Sequence, residues 1–330
     1  MVSGTVLVTG ATGGLGRVLA GMLHAAGRHP IATGRDTRIG AELSAAGMRF
    51  VPADLVHDRL APLVEGVETV FHLAALSAPW GARETFQATN VAATTRLLDA
   101  ARAAGCRRFV FASTPSIYTR TADQFGLTEA TPLPPQAPND YAATKYAAEC
   151  AVLAAANDTF ATVALRPRAI IGPHDTALLP RLLRAAGKGV LPLPNGGSAM
   201  IEPTDARDTA RAFIAAEAVC ASVAGKAFNL SGGAALPVAA LARHVFARLG
   251  RRVRIIAVPR RLALLAAHGA ECIARLLPGQ PEPPFTAYGA MALGWSQTFD
   301  LTAARAALGW APQHAPLAAV DWALAEMSHA

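Results

Sequence analysis

The sequence has little charge and lacks long apolar runs, and each shortage excludes a class of protein. Charged residues make up 16% of the 330 residues and apolar residues 52%. A disordered chain needs the opposite balance, so we expect a folded chain of about two domains. Apolar runs stay below the ~18 residues of a membrane span, and a basic region ahead of the short N-terminal apolar run is missing. The sequence therefore predicts no transmembrane helix and no signal peptide.

Cysteine and histidine are sparse and unclustered. The cysteines are Cys106, Cys150, Cys220 and Cys272. None forms a CxxC pair, so neither a zinc site nor a redox motif is expected. Their apolar or helix-forming neighbours predict buried free thiols, which suit a reducing cytoplasm. His72, His174 and His268 are isolated as well, and they are interpreted as structural residues in a protein without a metal.

The net charge of +7 is scattered over the sequence. Basic pairs such as Arg107-Arg108 occur, but no run of five basic residues does, and few aromatic residues accompany them. This pattern does not favour a nucleic-acid partner. An anionic cofactor would account for part of the surplus. Only three residues are lysines, and one of them, Lys145, belongs to a motif described below.

Short apolar runs alternate with Ala/Leu-rich stretches, which predicts an α/β fold with a doubly wound parallel sheet. The predicted strands cover residues 6–8, 30–33, 49–51, 69–73, 109–112, 162–165 and 227–230. The predicted helices include residues 15–26, 41–46 and 86–104.

Prolines become frequent after Arg166, which predicts a smaller, discontinuous C-terminal substrate domain. We assign residues 1–166, with 200–231 returning to them, to a Rossmann domain. Residues 167–199 and 232–330 then form the substrate domain.

A glycine-rich turn joins the first predicted strand to the first helix. Such a turn fits the pyrophosphate of a dinucleotide against a helix N-terminus. Its candidate cofactor contacts are Gly10, Thr12, Gly13, Gly14, Leu15 and Gly16.

The end of the second strand, Gly34-Arg35-Asp36, bears on the choice of cofactor. A guanidinium at Arg35, with Arg38 in support, suits a 2′-phosphate, so NADP(H) is the preferred cofactor. Asp36 could instead serve a ribose 2′-hydroxyl, which keeps NAD(H) as the alternative. Asp54-Leu55 after the third strand is expected at the adenine, although Asp54 could also be a helix N-cap.

Tyr141 and Lys145 are four residues apart at the start of an Ala-rich helix, so they share a face. A neighbouring ammonium favours the phenolate and makes a tyrosine a better acid–base group. Ser113, Thr114 and Ser116 lie where the fifth strand ends, at the sheet edge where ligands bind.

Together these motifs resemble the extended branch of the short-chain dehydrogenase/reductase superfamily. The resemblance rests on TGxxGxxG from Thr9, Asp54-Leu55, His72-Leu73-Ala74-Ala75, Asn90-Val91, Ser113-Thr114, the Tyr141/Lys145 pair and Leu165-Arg166-Pro167. It implies a homodimer and a Tyr141 that acts as general acid/base. It also implies that Lys145 lowers the tyrosine pKa and holds the nicotinamide ribose, and that Thr114 is the catalytic hydroxyl, with Ser113 and Ser116 as substitutes. Further cofactor contacts implied are Leu73, Ala74, Ala75, Asn90, Ser113 and Pro167.

The segment after the sixth strand, from Arg166 to Leu183, resembles the 3β-hydroxysteroid dehydrogenase-like branch. That resemblance implies an oxidoreductase that interconverts a secondary alcohol and a ketone on a bulky, hydrophobic substrate, such as a steroid or a 2-alkyl-3-oxoalkanoate. The alternatives are a nucleotide-sugar epimerase or dehydratase and a non-catalytic cofactor-sensing regulator.

A helix is expected within residues 258–277, with Arg261, His268, Glu271 and Arg275 on one stripe. Leu264, Leu265, Ile273 and Leu276 form the other face. We expect that face to pack on the protein's own core. A pocket lid is less favoured, and a peripheral membrane contact is the least favoured reading.

Overall fold

The computed structural model describes residues 4–175 and 178–327. Its strands are β1 (Thr5–Thr9), β2 (Ile31–Gly34), β3 (Arg49–Pro52), β4 (Val67–His72), β5 (Arg108–Ala112), β6 (Gln124–Leu127), β7 (Ala161–Pro167), β8 (Ile170–Ile171), β9 (Val190–Pro194), β10 (Met200–Ile201), β11 (Thr204–Asp205), β12 (Lys226–Leu230), β13 (Leu236–Pro237), β14 (Arg254–Val258) and β15 (Gln297–Phe299).

The helices of the same ranges are α1 (Gly14–Ala25), α2 (Thr37–Ala45), α3 (Ala61–Val64), α4 (Arg83–Phe86), α5 (Ala93–Ala103), α6 (Asp140–Ala154), α7 (Leu178–Ala185), α8 (Ala206–Ala218), α9 (Val238–Arg248), α10 (Arg260–Leu276), α11 (Ala287–Gly294), α12 (Thr302–Leu308) and α13 (Pro316–Met327). A π-helical turn covers Gln87–Ala92, and short 3₁₀ turns cover Pro115–Tyr118, Gly187–Gly189 and Asn195–Gly197.

Seven strands form one parallel sheet in the order β12-β7-β5-β4-β1-β2-β3, which confirms the predicted fold class. Successive residues of a strand point to opposite faces of the sheet. Val8 thus packs in a core under α1 and α8, while Leu7 packs in a second core under α3, α5 and α6. The chain order reverses between β1 and β4, and such a reversal opens a crevice at the carboxyl ends of the strands.

Two helices begin or continue differently from the prediction. Helix α2 begins at Thr37, before residue 41, because the Asp36 carboxylate accepts a hydrogen bond from the Ile39 N–H and caps the helix. The helix predicted over residues 86–104 is interrupted by the π-helical turn, where Asn90 bonds to groups outside the helix. Periodicity alone signals neither event.

The strand predicted at residues 227–230 belongs to the sheet, since β12 pairs in parallel with β7. A third core lies in the C-terminal part, where Ile171, Leu193 and Ile201 pack with α9 and α13. The division into a Rossmann and a substrate domain at the boundaries given above stays a prediction.

The apolar face of helix α10 does not pack on the core as expected from the sequence. It buries Ala267 and Ala274, whereas Leu265, Ile273 and Leu276 of the face expected in the core are 62–86% exposed. The apolar stripe is opposite to the buried side of the helix, so packing on the protein's own core is wrong for this face. Leu264 alone of that face packs on a small cluster with α11.

The prediction of four buried free thiols is correct for two of the cysteines and wrong for the other two. Cys106 and Cys220 are buried free thiols as predicted, and burial raises their pKa to about 11 and about 12. Cys150 and Cys272 are free but exposed. Their neighbours are helix formers, and these two positions of α6 and α10 face outward.

Candidate active site

The glycine-rich turn leaves no room for side chains where a cofactor backbone would lie. Gly10 has φ +65°, and a Cβ there would lie 2.7 Å from the Ala74 nitrogen. A Cβ at Gly16 would lie 2.1 Å from the Gly10 carbonyl oxygen, so α1 can approach the turn only with glycine. Gly13 precedes α1 without a side-chain cap. The first N–H groups of α1 are therefore free to bind a pyrophosphate.

At the end of β2, Arg35 and Asp36 are the two candidate partners of the cofactor ribose, and the structure gives them different surroundings. Asp36 is occupied as the cap of α2, and Arg38 forms an ion pair with Glu42 at 2.8 Å. Arg35 is exposed, and its charge helps to lower the pKa of Asp54. The guanidinium of Arg35 is thus the group of this strand end that is available to a ligand.

Asp54 holds a turn after β3. One carboxylate oxygen accepts from the Val56 N–H at 2.9 Å, and the other lies 3.0 Å from His57 Nδ1. These hydrogen bonds lower the pKa of Asp54. In the structure Asp54 therefore caps a local turn, which is close to the helix N-cap considered as the alternative from the sequence. Leu55 is buried, and its carbonyl oxygen accepts from Arg96.

A buried histidine fixes the segment after β4. Thr94 Oγ1 donates to the Asn90 carbonyl, so it accepts from Nε2–H of His72, and His72 Nδ1 then accepts from Thr9 Oγ1. Thr9 Oγ1 in turn accepts from the N–H groups of Leu73 and Ala74. Burial, aided by the charge of Lys145, lowers the pKa of His72 to about 3, so the ring stays neutral. Ala75 follows in this segment, which faces the glycine turn.

Asn90 connects three elements. Its Oδ1 accepts from the Leu76 N–H at 2.8 Å, and its Nδ2 donates to Thr144 Oγ1 at 3.1 Å. The side chain of Asn90 therefore ties the segment after β4 to α6, the helix that carries Tyr141 and Lys145. Its hydrogen bonds are made to the protein, so the geometry favours a positioning role.

Tyr141 and Lys145 lie on one face of α6, beside the end of β5. Burial raises the pKa of the Tyr141 phenol above its ordinary value, while hydrogen bonds with Thr114 and Ser77 oppose the rise. Burial lowers the pKa of Lys145 to about 7, and its Nζ lies 4.0 Å from the Phe111 ring centre. The expected lowering of the tyrosine pKa by Lys145 is not seen in the protein alone, because burial penalises the charged form of both groups.

Four hydroxyl groups form a chain from Tyr141 into the C-terminal part. Thr114 interacts with Tyr141 and donates to Ser116 Oγ at 2.9 Å. Ser116 Oγ lies 2.6 Å from the Tyr288 hydroxyl. Sequence reasoning missed Tyr288 and Ser77, because neither belongs to a spaced motif. Ser116, weighed as a substitute for Thr114, instead connects Thr114 with α11.

The remaining predicted contacts lie at the same sheet edge. Ser113 and Pro167 are buried at the ends of β5 and β7. Ser113 Oγ has no hydrogen-bond partner among the described residues. The buried Lys145 ammonium lies over the Phe111 ring, and the charge of Glu149 raises its pKa against the effect of burial. A buried hydroxyl without a partner, a buried cation and a glycine cradle at one edge fit a bound dinucleotide. No group of three metal-ligating side chains occurs within residues 4–175 and 178–327.

Comparison with known proteins identifies the family. Residues 6–231 match the model of the NAD dependent epimerase/dehydratase family. The chain belongs to this family. The match confirms the superfamily predicted from the motifs, and an NAD-type dinucleotide is the cofactor of its members. Across the described part of the chain, helices of the length and apolarity required of a membrane span are not found.

Two relatives and one solved structure illustrate the likeness. A 2-alkyl-3-oxoalkanoate reductase of Stenotrophomonas maltophilia is 36% identical over 316 residues, which cover 93% of this chain and 94% of the relative. The 3beta-hydroxysteroid-dehydrogenase/decarboxylase isoform 1 of Arabidopsis thaliana is 28% identical over 83% of this chain and 65% of its own length. The structure of MoeE5 in complex with UDP-glucose and NAD is 25% identical, covers 99% of both chains and has a TM-score of 0.75.

Proposed function

We propose that the protein is an NAD(P)-dependent oxidoreductase that interconverts a ketone and a secondary alcohol on a bulky, hydrophobic substrate. The observation that carries the proposal is the Tyr141–Thr114–Ser116–Tyr288 hydroxyl chain beside Lys145 at the carboxyl edge of the sheet. The names of two relatives, a reductase of oxoalkanoates and a steroid dehydrogenase, support the same substrate class. Tyr141 and Lys145 argue against a cofactor sensor without catalysis.

A reduced nicotinamide, when bound at the glycine turn, would supply the hydride for reduction of the ketone. The Tyr141 phenol donates its proton to the carbonyl oxygen as negative charge develops there. Thr114 orients the phenol, and its single hydroxyl proton, which the protein alone directs to Ser116, would turn to the same oxygen when substrate binds. Lys145, whose ammonium is buried beside the Phe111 ring, would bind the nicotinamide ribose hydroxyls. The negative charge of a bound cofactor favours its ammonium form.

NADP(H) is the cofactor we propose as preferred. Arg35 is exposed at the end of β2, and Asp36, the residue that would have favoured NAD(H), is occupied in capping α2. A planar guanidinium suits a 2′-phosphate. Gly10, Thr12, Gly13, Gly14, Leu15 and Gly16 would hold the pyrophosphate.

The test is turnover of NADPH and NADH with 2-alkyl-3-oxo acids, 3-oxosteroids and UDP-sugars. Net cofactor oxidation with a hydrophobic ketone supports the proposal. Conversion of a UDP-sugar to its epimer with no net change in cofactor absorbance would replace it by the second candidate, a nucleotide-sugar epimerase. The likeness to MoeE5 with UDP-glucose and NAD favours that candidate.

The protein is further proposed to be a homodimer formed through α5 and α6. Tyr146 on α6 is 40% exposed, an unusual place for a large aromatic side chain, and Cys150 lies one turn further along the same helix. Sedimentation velocity of wild type and of Tyr146→Glu tests the interface.

The free thiols support the cytoplasmic location expected from the sequence.

A further inference from the structure

Arg168 is a buried cation that the proposed reaction does not yet use. It follows β7 and is only 8% exposed. Its backbone is held by Thr204, whose N–H and Oγ1 both donate to the Arg168 carbonyl. Its side chain is not held in this way, because Nε has no hydrogen-bond partner among the described residues. Burial lowers the pKa of Arg168, and the charges of Tyr288 and Glu202 oppose this only through space, without a hydrogen bond to the side chain.

A buried guanidinium without an ion pair is costly. An arginine keeps its charge in proteins, so it cannot avoid the cost by losing a proton. Leaving such a charge unpaired destabilises the fold, and proteins normally supply a counter-ion. The missing partner of Arg168 therefore points to a ligand.

The acidic side chain near Arg168 is occupied elsewhere. Glu202 Oε2 accepts from Ser231 Oγ at 2.6 Å and from the Phe299 N–H at 3.2 Å. Burial raises the pKa of Glu202, which weakens it further as a counter-ion. The charges of Glu202 and Arg168 act on each other, since Glu202 raises the pKa of Arg168 and Arg168 lowers that of Glu202. Among the described residues, however, the two side chains form no direct ion pair or hydrogen bond.

Arg168 borders a cleft next to the hydroxyl chain. The residues that line the cleft include Arg120, Gln124, Arg168, Met291 and Trp295, and its described lining contains no Asp or Glu. Tyr288 lies one turn before Met291 on α11, and it raises the pKa of Arg168. Because Tyr288 also contacts Ser116, the cleft adjoins the reacting end of the proposed site.

Resting on the proposed function, we infer that Arg168 binds an anionic group of the substrate, a carboxylate close to the ketone or secondary alcohol. The two terminal nitrogens of a guanidinium match the two oxygens of a carboxylate. The substrate class is thus a 3-oxo or 3-hydroxy acid with an apolar chain. The names of the relatives agree, since an alkanoate carries a carboxylate and a decarboxylase removes one.

The test compares a 2-alkyl-3-hydroxyalkanoate with its methyl ester, both oxidised with NADP⁺. A 3-hydroxy acid and NADP⁺ give the 3-oxo acid, NADPH and a proton, and the hydroxy acid is stable in solution. For wild type we expect the acid to have the higher kcat/KM by ~10–150-fold, the value of a charge-assisted hydrogen bond. Arg168→Met should abolish that preference by slowing the acid alone, and Arg168→Lys should keep part of it.

Arg120→Met is the matched control. Arg120 lines the same cleft, but its donors already bind the carbonyl groups of Tyr118 and Pro132, so the acid-to-ester ratio should stay as in wild type. Binding is read separately, from the rise in Tm that each compound causes without cofactor. The acid should raise the Tm of wild type and not that of Arg168→Met.

The outcomes separate the two proposals. Equal oxidation of acid and ester by wild type overturns the role of Arg168 and leaves the proposed function standing. If neither compound is oxidised but the acid raises Tm only when Arg168 is present, the proposed function fails and the anion site stands. Stabilisation by UDP-glucose and not by the acid, lost in Arg168→Met, assigns the cleft to a diphosphate and overturns the carboxylate.

Discussion

Glu149 and Arg166 form a bidentate ion pair between α6 and β7, and both side chains are almost fully buried. Glu149 lies one turn after Lys145 on the same helix. The Arg166 guanidinium also donates to the Tyr118 hydroxyl. The pair thus anchors the helix that carries the candidate catalytic residues to the sheet that carries the hydroxyl groups.

Removing one partner should destabilise the protein strongly. Glu149→Ala leaves a buried charge unpaired, which costs roughly 3–5 kcal/mol in the free energy of unfolding. Glu42→Ala is the control, because Glu42 pairs with Arg17 and Arg38 at the surface, where a pair is worth about 1 kcal/mol or less. Urea unfolding measures both changes, and equal losses would contradict the anchoring role.

Tyr141→Phe deletes only the proposed proton donor. We expect kcat to fall by ~10²–10⁴-fold, as is usual for a lost general acid, with cofactor binding intact. Tyr146→Phe removes a hydroxyl from the exposed side of the same helix and should leave kcat unchanged. Steady-state rates and cofactor titration decide the point. Wild-type turnover in Tyr141→Phe would show that another group donates the proton.

Thr114→Val should reduce kcat by about 10²-fold or more, as removal of a preorganised donor does. Ser116→Ala should have a smaller effect, because Ser116 acts on the phenol only through Thr114. The ratio of the two losses in kcat is the measurement. If Ser116→Ala were the more damaging change, Ser116 would contact the substrate oxygen in place of Thr114.

Arg35→Ala tests the preference for NADP(H). Loss of one charge-assisted contact with the 2′-phosphate should weaken NADPH binding by ~10–150-fold and leave NADH binding nearly unchanged. Asp36→Asn is the neighbouring control, since asparagine also caps helices. Fluorescence titration with both cofactors gives the result, and an equal loss for both would refute the assignment.

Lys145 predicts a pH dependence of stability in the cofactor-free protein. Its folded pKa, about 7, is below the unfolded value of 10.5, so between these pH values the unfolded chain holds a proton that the folded chain has released. Stability from this group therefore rises with pH in that window, by at most about 1.4 kcal/mol per pH unit.

Lys145→Met should accordingly be more stable than wild type at pH 7, and its advantage should shrink towards pH 10. Urea unfolding at several pH values measures the difference in the free energy of unfolding between the two proteins. The contributions of other titrating groups are the same in both proteins and largely cancel in this difference. A constant difference would mean that the Lys145 ammonium is not penalised by burial.

Local patterns predicted the parts of the site that depend on short spacings. The glycine turn and the Tyr141/Lys145 pair are fixed by backbone geometry within a few residues, so the sequence contains them completely. Tyr288 is 172 residues from Ser116, and the contact of their hydroxyls depends on how α11 packs over the sheet. The partner of a side chain at that distance cannot be read from spacing.

Periodicity has a related limit in α10. The spacing of leucines identified the apolar stripe, but it could not tell whether another element covers it. The structure leaves Leu265 and Leu276 uncovered and buries the alanines on the opposite side. Arg168 shows the same limit for charge, because only the fold reveals that its buried side chain forms no ion pair with another described residue.

The π-helical turn at Gln87–Ala92 makes the site sensitive to chain length. A π turn is equivalent to one residue inserted in an α-helix. Deleting a single residue here would let α4 run smoothly into α5, and local helix geometry would improve. Residues before the deletion would then rotate by about 100° relative to those after it. Asn90 could no longer reach both Leu76 and Thr144, so a more regular helix would disconnect α6 from the cofactor segment.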